Sequence, residues 1–274
     1  MADKPGTGKY ALITGASGGI GEEFARLLAA EGYQLVIVAR NEDQLNRVAG
    51  ILNSKHRATV SPIAMDLSAL DAAKSLVQEL HTRGFSPDVV INNAGYGICG
   101  HTLDTPVEDY LNMLDLNVRT LTELSLNLLP AMLKRKRGGI LNVASLAAFV
   151  PGPYMSVYHA SKAYVLSFTE GLASEYAGTG VTISALCPGY VMTGFQSRAS
   201  MDEIRFIKMA PKLTAEELVT MAWENFKRGD RVIIPGLSNK FSAFAARHLP
   251  HHLVMQVLRR INKPAEEAYI HEQA

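Results

Sequence analysis

The sequence predicts an α/β fold: a doubly wound parallel sheet with helices on both faces, in a single domain spanning residues 1–274. Three observations predict it. Short apolar, β-branched runs alternate with amphipathic segments from end to end, the pattern of strand–helix units rather than hairpins. Leu35–Ala39 and Val89–Ile91 are continuous apolar runs, as expected of strands buried on both faces. No linker, repeat or change of composition divides the chain.

Strands are expected at Tyr10–Thr14, Gln34–Ala39, Ala58–Ala64, Val89–Asn92, Ile140–Ala144, Val181–Cys187 and Val232–Ile234. Helices are expected at Ile20–Ala30, Asn41–Asn53, Ala69–Arg83, Val107–Lys134, Ser156–Ala177 and Ala215–Lys227. Residues 193–211 break the rhythm, with Phe195, Met201, Ile204, Phe206 and Met209 scattered among polar residues. A long excursion of this kind reads as a substrate lid, an extra surface helix being the plainer alternative. Residues 236–274 form a C-terminal helical extension. Its apolar and basic residues between Phe241 and Ile261 suit docking over a substrate mouth, packing between subunits, or lying on a membrane surface. Pro250 splits the segment and no basic face is continuous, so packing on its own protein is the expected state.

The bulk numbers narrow the function. The 274 residues are 47% hydrophobic and 19% charged, with a formal charge of +1, so no nucleic-acid footprint is expected. The basic run Lys134–Arg137 reads as a solvated helix C-terminus. Cys99 and Cys187 are far apart and read as reduced thiols of a cytoplasmic protein. The polar N-terminus shows no signal peptide, and no apolar run is long enough to span a bilayer. His248, His251 and His252 lack acidic or cysteine companions, and Pro250 disturbs their ladder, so no metal is expected.

The first strand ends in Thr14-Gly15-Ala16-Ser17-Gly18-Gly19-Ile20-Gly21 and runs directly into a helix. Glycines at 15, 19 and 21 permit a tight turn and close approach of backbone to a pyrophosphate. The helix N-terminus behind them offers N–H groups to phosphate. Gly15, Ser17, Gly18, Gly19, Ile20 and Gly21 are therefore expected against a dinucleotide. The second strand ends at Ala39-Arg40, where an NAD site would carry an acidic residue. Ala39 has no carboxylate to repel a 2′-phosphate and Arg40 can pair with one, which favours NADP(H) over NAD(H). The plainer alternative makes Arg40 a solvated strand end. Asp66-Leu67 closes the third strand, where the carboxylate can bond an adenine amino group. Asn93-Ala94-Gly95 closes the fourth, beside the adenosine. All four segments fall at carboxyl ends of parallel strands, where ligands bind in such sheets.

Tyr158 and Lys162 are four apart on one helix and so share a face. A phenol keeps its proton until about pH 10, and a neighbouring ammonium favours the phenolate, lowering that pKa. Ser145, at the end of a preceding strand, can hydrogen-bond a carbonyl or alcohol oxygen presented to the tyrosine. The set suits proton transfer accompanying hydride transfer. Tyr154 is a rival acid/base, but without a lysine four residues on it reads as a substrate-side residue. Cys99 reads as a packed thiol that nothing nearby acidifies.

Taken together, the Thr-Gly-x-x-x-Gly-x-Gly turn, Asn-Asn-Ala-Gly, Ser145, Tyr158-x-x-x-Lys162 and Pro188-Gly189 resemble a short-chain dehydrogenase/reductase, in the correct order over residues 8–235. The resemblance implies a Rossmann-like fold with seven parallel strands and a catalytic set of Asn117, Ser145, Tyr158 and Lys162. It implies that Tyr158 exchanges the proton, Lys162 lowers its pKa and holds the nicotinamide ribose, Ser145 polarises the substrate oxygen, and Asn117 holds a water linking the lysine to solvent. It implies that Pro188, Gly189 and Val191 run past the nicotinamide and that Thr193 reaches its carboxamide. A homodimer or homotetramer through the two long helices is also implied. The expectation is an NADP(H)-dependent, metal-free oxidoreductase interconverting an alcohol and a ketone or aldehyde, with a rather hydrophobic substrate. The competing readings are an NAD(H)-dependent enzyme of the same fold and a non-catalytic dinucleotide-sensing or scaffold protein.

Overall fold

A computed structural model describes residues 4–56, 58–191 and 213–263. Thr193, the expected lid 193–211 and the end of the tail lie outside the described residues. The strands are β1 (Tyr10–Thr14), β2 (Gln34–Ala39), β3 (Val60–Ala64), β4 (Val89–Asn92), β5 (Gly138–Val143), β6 (Val181–Leu186) and β7 (Val232–Ile233). The helices are α1 (Gly19–Ala30), α2 (Glu42–His56), α3 (Ala72–Thr82), α4 (Val107–Leu114), α5 (Leu121–Arg135), α6 (Ser156–Glu175), α7 (Ala215–Lys227), α8 (Leu237–His248) and α9 (His251–Ile261).

The seven strands form one parallel sheet in the order β3-β2-β1-β4-β5-β6-β7. Winding runs outward from β1 to β3 and then returns to place β4 beside β1. That reversal opens a crevice at the carboxyl ends of β1 and β4, the position where such sheets bind ligands. Side-chain alternation along β1 shows why both faces must be covered. Ala11 and Ile13 pack with α1, α2 and α7 through Phe24, Leu28, Leu45, Leu52, Trp223 and Phe226. Leu12 points the other way, into a core with Leu76, Leu80, Leu129 and Met132 of α3 and α5. Each fully buried leucine contributes roughly 1.5–3 kcal/mol. Pro62 lies in β3, an edge strand, where its missing N–H need not enter a central ladder.

The single long helix expected over Val107–Lys134 is interrupted. Between α4 and α5 the chain widens into a π-helical turn over Asp115–Thr120. Such turns occur mostly as inserts within helices and frequently at functional sites; here the insert carries Asn117. Pro130 is tolerated inside α5, which ends with Lys136 in the left-handed region at φ 51°. β5 stops at Val143; the Ala144 N–H still donates to the Leu186 carbonyl of β6 at 2.7 Å, and Ser145 follows at the strand's carboxyl end as the cap of the next turn.

The C-terminal extension does pack on its own protein, but through few residues. Ala243 is buried, the Arg247 guanidinium lies 4.6 Å from the Phe149 ring centre, and Asn262 is buried against the body. Pro250 divides the segment into α8 and α9, which leave Leu237, Phe241, Phe244, Leu253 and Val257 exposed and Val254, Met255, Leu258 and Ile261 half-buried. His248 stacks on Phe244 at 4.1 Å and bonds its carbonyl at 2.8 Å. Among the described residues no group of three or more His, Cys, Asp or Glu is placed to hold a metal ion.

Candidate active site

The glycine turn between β1 and α1 is a backbone structure locked from behind. Gly15 and Gly19 have φ of 67° and 58°, values that favour glycine. A Cβ on Gly21 would stand 2.3 Å from the Gly15 carbonyl oxygen, and one on Gly15 would stand 2.9 Å from the Ala94 Cα. The Asn93 amide donates to the carbonyls of Thr14 and Gly15 at 3.0 and 3.1 Å. The Thr14 hydroxyl accepts from the backbone N–H groups of Asn93 and Ala94, both at 3.0 Å. Thr14 thus joins the ends of β1 and β4 across the crevice. Its position at a buried strand end, just before a glycine turn, was the only signal for that role.

Gly18 behaves differently from its neighbours. Its backbone is extended at φ 179°, and a Cβ there would meet nothing within 4 Å. It also occupies the N-cap of α1 without any side-chain cap, so the first-turn amides are left for another acceptor. Open space before an uncapped helix N-terminus fits the pyrophosphate of a dinucleotide.

At the β2 end, Arg40 is exposed and its guanidinium lies 4.0 Å from Asp66. Partial burial raises the Asp66 carboxyl, but hydrogen bonds from the Ser68 hydroxyl and amide, together with Arg40, outweigh it and hold the group below its ordinary value. Leu67 is buried, and its carbonyl accepts from the Thr120 hydroxyl at 2.7 Å. Gly95 lies against the expected catalytic set: a Cβ there would sit 2.8 Å from Asn117 Oδ1 and 3.5 Å from Lys162 Nζ.

The four expected catalytic residues converge at the carboxyl ends of β4 and β5. Ser145 caps the short 3-10 turn Leu146–Phe149, accepting from the Ala147 N–H at 3.1 Å, and its side chain hydrogen-bonds Tyr158. Lys162 is buried on the same face of α6, donates to the Val143 carbonyl at 2.9 Å and lies 5.9 Å from the Tyr158 ring centre. Asn117 is fully buried. Its amide donates to Tyr96 O at 2.9 Å and Ser161 Oγ at 3.2 Å, and its Oδ1 accepts from the Tyr96 N–H at 3.1 Å. It therefore ties the loop after β4 to α6.

One electrostatic expectation is reversed. Burial pushes the Tyr158 phenol up to about 12, with the Ser145 hydrogen bond pulling only partly the other way. Burial also lowers the Lys162 ammonium to about 8. The helical spacing places an ammonium near a phenol, but both groups have lost their water, and desolvation dominates both shifts. At neutral pH Tyr158 therefore holds its proton.

Beneath the site lies a buried polar network that was not foreseen. Asn92 donates to Asn142 Oδ1 at 2.8 Å and to Ser125 at 3.1 Å, and Asn142 donates to Thr169 at 3.0 Å. An asparagine inside each of two apolar strands was its one sequence signal, since buried amides need partners. On the open side, Tyr158 packs with Met113, Met155, Tyr96, Ile98 and Tyr110. Tyr154 holds φ 63° and meets His101 edge-to-face at 5.0 Å. Burial raises the Cys99 thiol, which is in keeping with a packed role. A Cβ on Gly189 would stand 2.3 Å from Asn239 Oδ1 of α8, while Pro188 accepts from the Leu146 N–H at 2.9 Å; Val191 is buried.

A glycine-built nucleotide crevice beside a serine–tyrosine–lysine cluster defines a dinucleotide-dependent oxidoreductase. The chain belongs to the short-chain dehydrogenase family, whose model matches residues 9–204. Among curated proteins it is 28% identical over 271 residues to a very-long-chain 3-oxoacyl-CoA reductase from Anas platyrhynchos, covering 97% of this chain and 84% of that one. A short-chain dehydrogenase from Sphingobium yanoikuyae in complex with NADPH superposes with a TM-score of 0.78 at 28% identity, over 94% of this chain and 99% of the other. A short chain dehydrogenase/reductase from Burkholderia phymatum in complex with NAD gives the same TM-score, 0.78, at 27% identity, over 97% and 99%.

Proposed function

We propose that this oxidoreductase uses NADP(H) to interconvert a hydrophobic ketone or aldehyde and its alcohol, with Tyr158 as the acid/base. The observation that carries the reading is the convergence of Ser145, Tyr158 and Lys162 beside the crevice between β1 and β4. The cofactor, when bound, supplies or takes up the hydride. Gly15, Ser17, Gly18, Gly19, Ile20 and Gly21 would hold its pyrophosphate, Arg40 its 2′-phosphate, and Asp66, Leu67, Asn93, Ala94 and Gly95 its adenosine. Lys162, Pro188, Gly189, Val191 and Thr193 would flank the nicotinamide end.

In the reductive direction the buried phenol of Tyr158 donates its proton to the substrate oxygen. Ser145 holds that oxygen against the phenol. Lys162, charged below about pH 8, stabilises the phenolate that remains. Asn117 Oδ1 accepts one bond, from the Tyr96 N–H, which leaves it a second lone pair for the water that would link Lys162 to solvent. The apolar surroundings of Tyr158 and the similarity to a very-long-chain oxoacyl reductase support a hydrophobic substrate. Val107, Leu111, Leu126 and Tyr164 are exposed on α4, α5 and α6, which supports a homo-oligomer through these helices.

Turnover of a panel of ketones and aldehydes by wild type and Tyr158→Phe, each with NADPH and with NADH, tests the proposal. Loss of the acid should cost about a thousandfold in kcat, with cofactor affinity retained. Equal turnover in the two proteins would remove Tyr158 as the catalyst.

A further inference from the structure

Charge in this chain is segregated. Residues 236–263 contain Lys240, Arg247, Arg259, Arg260 and Lys263 and no aspartate or glutamate. The whole chain carries a formal charge of +1, so everything outside that stretch sums to −4; Glu266, Glu267 and Glu272 follow beyond the described residues. Lys240, Arg259 and Arg260 are exposed and make no ion pair among the described residues. The last turn of α9 explains a preference for cations at Arg259 and Arg260. It does not explain why the whole helical pair lacks acids.

The same pair leaves large apolar side chains in water. On α8, Leu237, Phe241 and Phe244 are exposed at spacings of four and three, which puts them on one face. On α9, Leu253 and Val257 repeat the pattern, with Leu249 just before them. Scattered exposed apolar residues are ordinary, but rows flanked by cations are the signature of helices that lie in a membrane interface. No described helix is long and apolar enough to cross a membrane, so the mode is lying on the surface, not spanning it.

The place of the pair in the fold gives the contact a use. Asn262, at the end of α9, donates to the Pro153 carbonyl at 3.1 Å and meets Cys99 Sγ through its own carbonyl at 3.8 Å. Those two loops flank Tyr158 and its apolar surroundings. We propose that α8 and α9 dock this protein on an anionic lipid surface, with the substrate side of the catalytic site facing the lipid. A second copy is the weaker occupant, because a two-fold contact through this pair would bring the exposed Lys240, Arg259 and Arg260 of one copy against those of the other. The orientation rests on the function proposed above; the docking itself does not.

Flotation of the full chain with vesicles of phosphatidylcholine alone, and of phosphatidylcholine mixed with phosphatidylglycerol, tests the proposal. The protein should float with the mixed vesicles and not with the neutral ones, and binding should weaken from about 0.1 M to about 1 M salt. At roughly 1 kcal/mol per cation near an anionic surface, Arg259→Glu with Arg260→Glu should weaken binding about 30-fold or more. Phe241→Ser with Val257→Ser should abolish flotation. Both pairs are exposed and should keep wild-type circular dichroism and turnover of a water-soluble carbonyl. No flotation with mixed vesicles, or binding that both double variants leave intact, overturns the proposal. Variants that instead dissociate an oligomer, with no vesicle binding by wild type, assign the face to a second copy. Flotation by a protein inactive on every carbonyl would leave the docking standing and defeat the function proposed above.

Discussion

The two ends of the crevice are built on opposite principles. The nucleotide end is made of backbone: glycines in the left-handed region, an uncapped helix N-terminus and a threonine hydroxyl holding two amides. It is limited by space. The proposed catalytic end is made of ionisable side chains taken out of water, and its two titrating groups are displaced from their ordinary values in the directions burial dictates. It is limited by charge. Damage at the first end should therefore show as misfolding or lost nucleotide, and damage at the second as lost chemistry in a protein that is no less stable.

The sharpest contrast lies within the glycine turn. Gly21→Ala forces a methyl to within 2.3 Å of the Gly15 carbonyl oxygen, and should destabilise the protein by about 3 kcal/mol or more through displaced backbone. Gly18→Ala meets nothing and should leave the unfolding free energy from urea titration within about 0.5 kcal/mol of wild type. If the proposed phosphate site is right, it should still weaken dinucleotide binding about tenfold by filling that space. Equal stability losses in the two variants would dissolve the distinction between a packed glycine and a ligand-facing one.

Lys162→Met probes the other end. The ammonium's fall from 10.5 to about 8 means that folding charges it at a cost of about 3 kcal/mol below pH 8. Loss of the bond to the Val143 carbonyl offsets about 1 kcal/mol. The variant should be inactive yet more stable than wild type by about 2 kcal/mol at pH 7. Between pH 8 and 10.5 the unfolded lysine binds a proton that the folded one does not, so wild type gains stability as pH rises and the difference should shrink. Thermal unfolding at pH 7 and pH 10 measures both. A variant less stable at pH 7 would mean that the charge is better compensated than burial implies.

Arg40→Asp should have the smallest effect on folding, since Arg40 is exposed and only 4.0 Å from Asp66. Its reach is the nucleotide. The ratio of kcat/KM with NADPH to that with NADH should fall about tenfold or more, as a charge-assisted contact is exchanged for a repulsion. An unchanged ratio would leave the discrimination to other residues.

The strand and helix plan was legible because it rests on local, periodic properties. The runs at Tyr10–Thr14, Gln34–Ala39 and Val89–Asn92 appear with their expected bounds. The candidate site residues stood out as motifs because close backbone approach and the proposed proton transfer admit few side chains at fixed spacing, and the structure brings Ser145, Tyr158 and Lys162 together. What stayed hidden depended on partners distant in sequence. The wide turn around Asn117 is spelled with ordinary helix residues. The exchange of bonds among Asn92, Ser125, Asn142 and Thr169 spans up to 50 residues between two members. The tail's apolar residues could be counted in advance, but which of them remain in water could not.

Residue order alone therefore determined the layered fold, the glycine turn and the identity of the serine–tyrosine–lysine set, since propensity, periodicity and motif spacing are properties of the chain. Only the tertiary structure decided the protonation of that set. Spacing puts an ammonium near a phenol, but packing removes the water from both, and the loss of solvation sets the Tyr158 phenol up to about 12 rather than down.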